Sequence, residues 1–185
     1  MSETQEPAGL KRVRDFINSV DLMPVLKDEW TDPAALAAWL REHGWVEEEV
    51  AATRADLARA VEVREALRAL TVANSGGELD PEALPRIQVA ADRAGLAVRF
   101  DRAEAPLEPR RDGIDAALGR VLAVVAESLN DGTWTRVKAC RADDCLWAFY
   151  DTSRNHSAAW CSMASCGNRA KARAFRARQR TKPSA

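Results

Sequence analysis

The sequence predicts a mainly α-helical protein of the α+β class, with a helical N-terminal domain that includes a short β-hairpin and a small C-terminal cysteine-rich unit. Three observations support this prediction. Apolar residues recur at helical spacing through most of residues 10–130, one short stretch at residues 96–100 alternates with period two, and all four cysteines follow residue 135. A chain of 185 residues with 46% hydrophobic residues is long enough for one good core and one small additional module.

Turn and cap residues divide residues 10–132 into a series of helices. Residues 1–9 are polar and contain Pro7 and Gly9, which predicts a flexible lead-in. Asp32 and Pro33 form an N-cap pair, and Gly95 provides a helix stop. The predicted helices cover residues 10–22, 34–42, 47–72, 81–94 and 114–129, and residues 96–100 form a strand that pairs within 104–111.

Three residues of the helical domain are candidates for an effector pocket. Asn18 lies beside the apolar face of the first helix, and a buried amide must be hydrogen-bonded, so it is either a packing contact or a ligand contact. Trp39 is close in sequence to two other tryptophans, a grouping more typical of a core than of a cofactor site. Arg64 shares a charged helix face with Glu65 and Arg68, which we expect to be solvated or salt-bridged. An arginine turned into a pocket would instead bind an anionic effector.

The four cysteines form two close pairs, Cys140-x4-Cys145 and Cys161-x4-Cys166, separated by 15 residues. Each pair can direct two sulfur atoms toward one point, as a tetrahedral thiolate site for Zn²⁺ requires. Two disulfides, four unrelated buried thiols, a redox-active pair or an iron–sulfur site are the alternatives. The acidic N-terminus contains no apolar export segment, so we expect a cytoplasmic protein, and a reducing cytosol disfavours disulfides. The sequence therefore predicts one zinc ion per chain.

The residues around the cysteines predict a finger that spans residues 136–182. Val137–Cys140 and Leu146–Tyr150 favour strands on either side of a polar turn, so the first cysteine pair lies at the turn of a β-hairpin. Cys161 lies in a turn and Cys166 at the start of a helix, an arrangement similar to a treble-clef finger. Metal binding supplies folding free energy to so short a segment. The small core predicted around the metal contains Trp147, Phe149, Trp160 and Phe175.

A strongly basic helix follows the last cysteine, with arginines at spacings that place four guanidinium groups along one face. Residues 136–185 contain eleven Lys and Arg and three Asp, a net charge of +8; since the whole chain carries −1, the first 135 residues carry −9. Such asymmetry indicates a polyanionic partner, and we expect double-stranded DNA. The alternative is that the basic face of this helix is only solvated or docks on the acidic domain. The predicted nucleic-acid contacts are Arg154, Asn168, Arg169, Arg173, Arg176 and Arg180.

The C-terminal segment resembles the CGNR zinc-finger family. The similarity consists of the cysteine spacing, the aromatic block Leu146–Tyr150 and the tetrapeptide Cys166-Gly-Asn-Arg169. Phe16-Ile-Asn-Ser19 resembles the opening of the ABATE domain that precedes this finger in the family, with serine in place of the usual threonine. The resemblance implies a DNA-binding finger at the C-terminus of a stress-induced transcription regulator.

Together these features predict a zinc-dependent DNA-binding transcription regulator whose acidic helical domain senses a small-molecule effector or forms a homodimer. A zinc-stapled protein-interaction module and a thiol redox switch are the alternative functions. We expect no enzymatic activity, because the two histidines, His43 and His156, have no catalytic spacing and the sequence shows no phosphate-binding glycine loop or nucleophile elbow. No apolar run is long enough to span a membrane.

Overall fold

A computed structural model describes residues 5–23, 26–103, 105–142 and 144–180, except for the side chains of residues 177, 179 and 180. The predicted mainly α architecture with small hairpins is confirmed. The α-helices of this part of the chain are α1 (Ala8–Ile17), α2 (Pro33–Glu42), α3 (Arg54–Asn74), α4 (Ala83–Ala94), α5 (Gly113–Asn130) and α6 (Asn168–Arg180). The strands form three antiparallel pairs, β1 (Val20–Asp21) with β2 (Lys27–Asp28), β3 (Ala97–Val98) with β4 (Leu107–Glu108), and β5 (Val137–Ala139) with β6 (Ala148–Tyr150).

The ends of α1 differ from the prediction on both sides. Ala8 and Gly9, predicted as part of the flexible lead-in, are helical, because Pro7 caps the helix and its carbonyl accepts from the Lys11 N–H at 2.9 Å. Residues 1–4 of the lead-in lie outside the described part. The predicted continuation to residue 22 is wrong, since Val20 leaves the helix and pairs with Asp28 across the β1–β2 hairpin. Residues 24 and 25 in this hairpin also lie outside the described part.

Capping interactions set the starts of α2 and α3. The Asp32 side chain accepts from the Ala35 N–H at 2.9 Å, which confirms the predicted N-cap. The predicted start of the long helix at residue 47 is wrong. Thr53 and Asp56 form a reciprocal capping box there, which satisfies the first N–H groups and fixes the start at Arg54. None of the helices that the structure describes has the length and apolar character needed to cross a lipid bilayer.

The remaining helices follow their predicted signals closely. Gly95 has a φ of 63° and ends α4 in the left-handed conformation that favours glycine. The strand predicted at residues 96–100 shortens to Ala97–Val98 and pairs with Leu107–Glu108, as expected for a small hairpin. Helix α3 extends two residues beyond its predicted end at residue 72, and Asn74 is its last residue. Its amide donates to the carbonyls of Trp134 and Val137, both at 2.9 Å, which ties the end of α3 to the chain that enters the β5–β6 hairpin.

One hydrophobic core includes both the helical region and part of the finger. Helices α1, α2, α3 and α5 supply most of its buried side chains. Trp30 and Trp39 meet Phe16 with ring centroids 5.0–6.0 Å apart, whereas Trp45 is buried separately beneath the Arg12 guanidinium. The hairpin β5–β6 and the turn before it also contribute to this core through Trp134, Val137, Ala148 and Tyr150. The finger hairpin is therefore packed against the helical body, and the boundary near residue 132 stays a prediction.

Asn18 connects the end of α1 to the finger hairpin. Its Nδ2 donates to the Ala148 carbonyl at 2.8 Å, and its Oδ1 accepts from the Ala148 N–H at 2.8 Å. The side-chain amide thus pairs with a strand of the finger in the way that a neighbouring strand would. Of the two roles predicted for Asn18, the structure shows the packing contact.

Replacing Asn18 by alanine should destabilise the protein. The Asn18→Ala change leaves the buried N–H and carbonyl of Ala148 without their partner, which costs about 1–3 kcal/mol. Chemical denaturation of the zinc-loaded protein measures this loss as a lower midpoint. Asn155→Ala is the matched control, because Asn155 is exposed in the finger loop. Equal midpoints for the two variants would show that this contact does not hold the finger on the body.

Candidate metal centre and basic helix

The β5–β6 hairpin presents the first cysteine pair. Its register pairs Val137 with Tyr150 and Ala139 with Ala148, so Cys140 and Cys145 lie at the turn that joins the strands. The Cys140 N–H donates to the Trp147 carbonyl at 2.9 Å, and the Cys145 N–H donates to the Ala142 carbonyl at 2.8 Å. These bonds close the turn around the two sulfur atoms, as the alternation of strand formers predicted.

A buried ion pair organises residues 151–160, the loop that leads to the second cysteine pair. The Lys138 ammonium donates to Asp151 Oδ2 at 2.7 Å and also to the His156 carbonyl. Asp151 is fully buried and accepts from Ser153 and from the Ala158 N–H. Although burial acts in the opposite direction, these bonds lower the pKa of Asp151 to about 2, so the carboxylate is ionised at neutral pH. Sequence reasoning missed this pair, because Lys138 reads as an outward-facing strand residue.

A single π-helical turn, Met163–Gly167, positions the second cysteine pair immediately before α6. The Ser162 hydroxyl caps this turn by accepting from the Ser165 N–H at 3.3 Å. The Gly167 N–H donates to the Ser162 carbonyl at 3.0 Å, which places Cys161 at the entrance to the turn and Cys166 within it. Such π-helical turns recur at functional sites in proteins.

The four sulfur atoms lie together, all within 4.8 Å of one another. The separations are 3.8 Å for Cys145–Cys161 and 3.7 Å for Cys161–Cys166. A tetrahedron with Zn–S bonds of about 2.3 Å has edges of about 3.8 Å, so the observed spacing fits a four-thiolate zinc site, whereas a disulfide is about 2 Å long. The four cysteines are free thiols and bind one zinc ion, as predicted.

The surroundings of Cys145 and Cys161 oppose ionisation of these two thiols, whereas those of Cys166 favour it. Burial, together with the charge of neighbouring thiolates, raises the pKa of Cys145 to about 11 and that of Cys161 further. Burial also acts against the Cys166 thiolate, but a hydrogen bond of 3.3 Å from the Arg169 guanidinium outweighs it and lowers the pKa of Cys166. Zinc would supply the missing positive charge and favour the thiolate form of all four ligands.

Each residue of the tetrapeptide 166–169 has a defined role in the finger. Cys166 provides a ligand, and Gly167 allows Met163 to pack closely, because a Cβ at this position would lie 2.7 Å from the Met163 sulfur and would displace that side chain. Asn168 donates to the Ala164 carbonyl at 3.2 Å. Arg169 contacts Cys166 Sγ and pairs with the Asp144 carboxylate at 3.1 Å. Two predicted nucleic-acid contacts, Asn168 and Arg169, are therefore engaged within the finger itself.

Helix α6 continues from the metal site with its basic side chains exposed. Arg173 and Arg176 are exposed, and among the described residues neither forms an ion pair. Arg154 is exposed in the loop that precedes the second cysteine pair. The side chain of Arg180 lies outside the described part. Phe175 is 57% exposed and does not belong to the predicted metal core, because it lies on an exposed part of α6. That core contains Trp147 and Trp160 beside the cysteines.

The three candidate effector residues are engaged within the helical body and its contact with the finger. Arg64 is only 3% exposed and forms a two-point ion pair with Asp28 at 2.7 and 2.9 Å. Trp39 donates to Glu29 at 2.5 Å, and Asn18 is paired with Ala148 of the finger. Each of these three side chains therefore has a hydrogen-bond partner within the protein itself. An effector pocket at these residues stays a prediction.

Both arginines of the charged face of α3 are buried, whereas Glu65 remains partly exposed. Arg68 is 5% exposed, like Arg64, and its guanidinium donates to the Leu146 carbonyl at 3.2 Å and to the Ile17 carbonyl. Glu65 pairs with both arginines, at 2.9 and 3.0 Å, which confirms the salt-bridged part of the prediction. Arg68 thereby links the end of α1 to the cysteine-bearing turn. The sequence did not indicate this role, since both of its acceptors are backbone carbonyls far away in the chain.

Comparison with protein families found two matches. A family model described as "CGNR zinc finger" matches residues 136–179. A model named ABATE and described as "Putative stress-induced transcription regulator" matches residues 11–132. The first match confirms the resemblance inferred from the cysteine spacing, the aromatic block and the tetrapeptide, and the second confirms the one inferred from Phe16–Ser19. A comparison with curated proteins found no match.

Removing a buried ligand should abolish zinc retention. The purified protein should contain one zinc ion per chain, and Cys140→Ser or Cys166→Ser should lose it to a competing chelator, because a hydroxyl is a poor zinc ligand at neutral pH. Metal analysis after dialysis against the chelator measures the retained zinc. Ser157→Ala, an exposed change in the same finger, is the control. Full zinc content in either cysteine variant would argue against a four-thiolate site.

Replacing Asp151 by asparagine should destabilise the finger. The change leaves the Lys138 ammonium without its carboxylate in a buried position, at a cost of about 3 kcal/mol. We expect a lower denaturation midpoint and faster zinc loss to a chelator, since the loop 151–160 carries the chain to Cys161. Asp101→Asn removes the same charge from an exposed loop and should leave both quantities unchanged. Wild-type zinc retention and stability in the Asp151 variant would contradict this role for the ion pair.

Proposed function

Since the chain belongs to the ABATE family and carries a CGNR zinc finger, we propose that it is a zinc-dependent DNA-binding transcription regulator. The observation that carries this proposal is the position of α6, whose start is fixed by the metal site and whose exposed face bears Arg173 and Arg176. The net charge of +8 after residue 135, against −9 before it, supports a polyanionic partner for this end of the chain.

The basic side chains of α6 would reach both walls of a DNA groove. Arg173 and Arg176 lie on one face, and Lys171 lies nearly opposite Arg173 because two residues advance a helix by about 200°. All three are exposed. A helix that enters the major groove can therefore place positive charge near the phosphates of each strand, while its remaining side chains face the base edges. Arg154, exposed beside the finger, would add a further phosphate contact.

The helical body has a supporting part in this proposal. It carries the negative charge of the chain, so non-specific DNA binding by that region is unfavourable and the finger alone faces the duplex. Effector sensing or pairing of two copies belongs to this domain, and the protein acts in the cytoplasm without enzymatic activity. Zinc would hold Cys161 and Cys166 at the start of α6. Without the metal, the helix would lose its fixed orientation relative to the rest of the finger.

Removing two arginines from α6 should weaken duplex binding and its salt dependence. For Arg173→Ala/Arg176→Ala, the slope of log K against log salt should decrease in magnitude by about 0.9 for each phosphate that the variant no longer neutralises. Fluorescence anisotropy with a labelled DNA duplex across a salt series gives both the affinity and the slope. Chelation of zinc from the wild-type protein should abolish the part of its duplex binding that requires α6 to be held in a fixed orientation.

The control for this experiment is Arg102→Ala/Arg111→Ala. Both of these arginines are exposed in loops of the helical domain, so the double change removes the same net charge without touching α6. If the two double variants lose affinity equally, binding reflects overall charge and the proposed interface is wrong. If the wild-type protein binds no duplex at low salt but does bind an acidic polypeptide, the finger is a protein-interaction module.

A further inference from the structure

The four zinc ligands are unequally shielded from solvent. Cys140 and Cys166 are 1% and 2% exposed, whereas Cys145 and Cys161 are half-buried. An open cavity of about 400 Å³ is lined by Cys145, Cys161 and Cys166, together with Asp21, Trp147 and Ser165. Of its three cysteines, Cys166 is almost fully buried, and Cys145 and Cys161 are the more accessible. A small polar molecule in this cavity would therefore meet one edge of the sulfur tetrahedron, the Cys145–Cys161 edge.

The same two sulfur atoms are close enough to react with each other. They lie 3.8 Å apart, and both belong to turns rather than to a regular helix or strand. Cys166 is at a similar distance from Cys161, 3.7 Å, but it is buried within the π-helical turn and held by Arg169. Reactive cysteines are typically partly exposed thiolates in an electropositive setting, and zinc keeps these two sulfurs ionised.

We propose that this cavity is an oxidation site, at which a small peroxide converts Cys145 and Cys161 to a disulfide and releases the zinc ion. The proposal goes beyond DNA binding and does not depend on it. It gives the chain a second property, that of a thiol switch that responds to hydrogen peroxide or to a hydroperoxide of similar size. The residues that line the cavity determine whether a peroxide reaches the two sulfur atoms. The buried ligands Cys140 and Cys166 remain thiols after the reaction.

The reaction is balanced with hydrogen peroxide as the oxidant. One of the two half-buried thiolates attacks a peroxide oxygen, the O–O bond breaks, and the leaving hydroxide takes a proton to become water. The sulfenic acid that forms is attacked by the second thiolate, so an S–S bond replaces the S–O bond and a second hydroxide leaves as water. Two electrons pass from the two sulfurs to the peroxide, and two protons are consumed. Zinc then has only two of its four ligands and dissociates.

Peptide mapping distinguishes the proposed disulfide from its competitors. Trypsin cuts after Arg141, Arg154 and Arg169, so Cys145 and Cys161 fall in separate peptides, whereas Cys161 and Cys166 share one. The zinc-loaded full-length protein is treated with hydrogen peroxide while a chromogenic chelator reports free zinc. We expect one zinc released per chain, together with a cross-linked pair of peptides in which fragmentation locates Cys145–Cys161. Dithiothreitol and added zinc should restore the starting state.

A change in the cavity wall tests the access route without altering a ligand. Ser165→Leu fills the cavity and should slow peroxide-driven zinc release severalfold, while the zinc content before oxidation stays at one per chain. Ser157→Leu makes the same change on an exposed part of the finger loop and should react at the wild-type rate. Equal rates for the two variants would overturn the cavity as the route.

Two other results would overturn the proposal as a whole. One is retention of zinc and of all four thiols at peroxide concentrations that oxidise free cysteine. The other is a first disulfide that contains Cys140 or that lies within the peptide shared by Cys161 and Cys166. Neither readout uses DNA, so a failure of duplex binding leaves this test unaffected, and a failure of this test leaves the DNA-binding proposal standing.

Discussion

Four sulfur atoms within 4.8 Å of one another are the constraint on which the finger depends. Thiolates this close repel one another, and a divalent cation at their centre makes four of them compatible. The local structure follows from the need to bring them there. A hairpin turn delivers one pair, a π-helical turn delivers the other, and the buried Lys138–Asp151 pair holds the loop between them.

The metal site is also coupled to the helical body through its backbone. Arg68 donates to Leu146 in the cysteine-bearing turn, Asn18 pairs with Ala148, and the Ser75 hydroxyl donates to the Ala139 carbonyl at 2.7 Å. The hairpin is therefore fixed by zinc on one side and by helices α1 and α3 on the other. Because both sets of contacts stabilise the same backbone conformation, zinc binding and packing on the body reinforce each other. A structural change in α1 or α3 would therefore affect the metal ligands through these hydrogen bonds.

Local signals in the sequence were sufficient for the metal site and for most helix ends. Cysteine spacing predicted the ligand set, and Asp32 and Gly95 marked helix boundaries, because each of these signals acts within a few residues. Long-range contacts decided the rest. Arg64 and Arg68 follow the spacing of a solvated charged face, yet carbonyls and carboxylates from distant segments bury them. The pairing of Val20 with Asp28 likewise ends α1 earlier than its apolar periodicity suggests.

The tetrapeptide that begins at Cys166 separates the metal-binding part of the finger from its exposed helix. A zinc ion with four thiolates carries a net negative formal charge, which would repel a phosphate at the start of α6. Arg169 lies against this centre and against Asp144, so its positive charge compensates the metal site and does not reach outward freely. One turn later, Arg173 is the first arginine of α6 that is both exposed and distant from the thiolates. The exposed positive charge of the helix therefore lies away from the zinc, and under the proposed function Arg173 and Arg176 would make the phosphate contacts rather than Arg169.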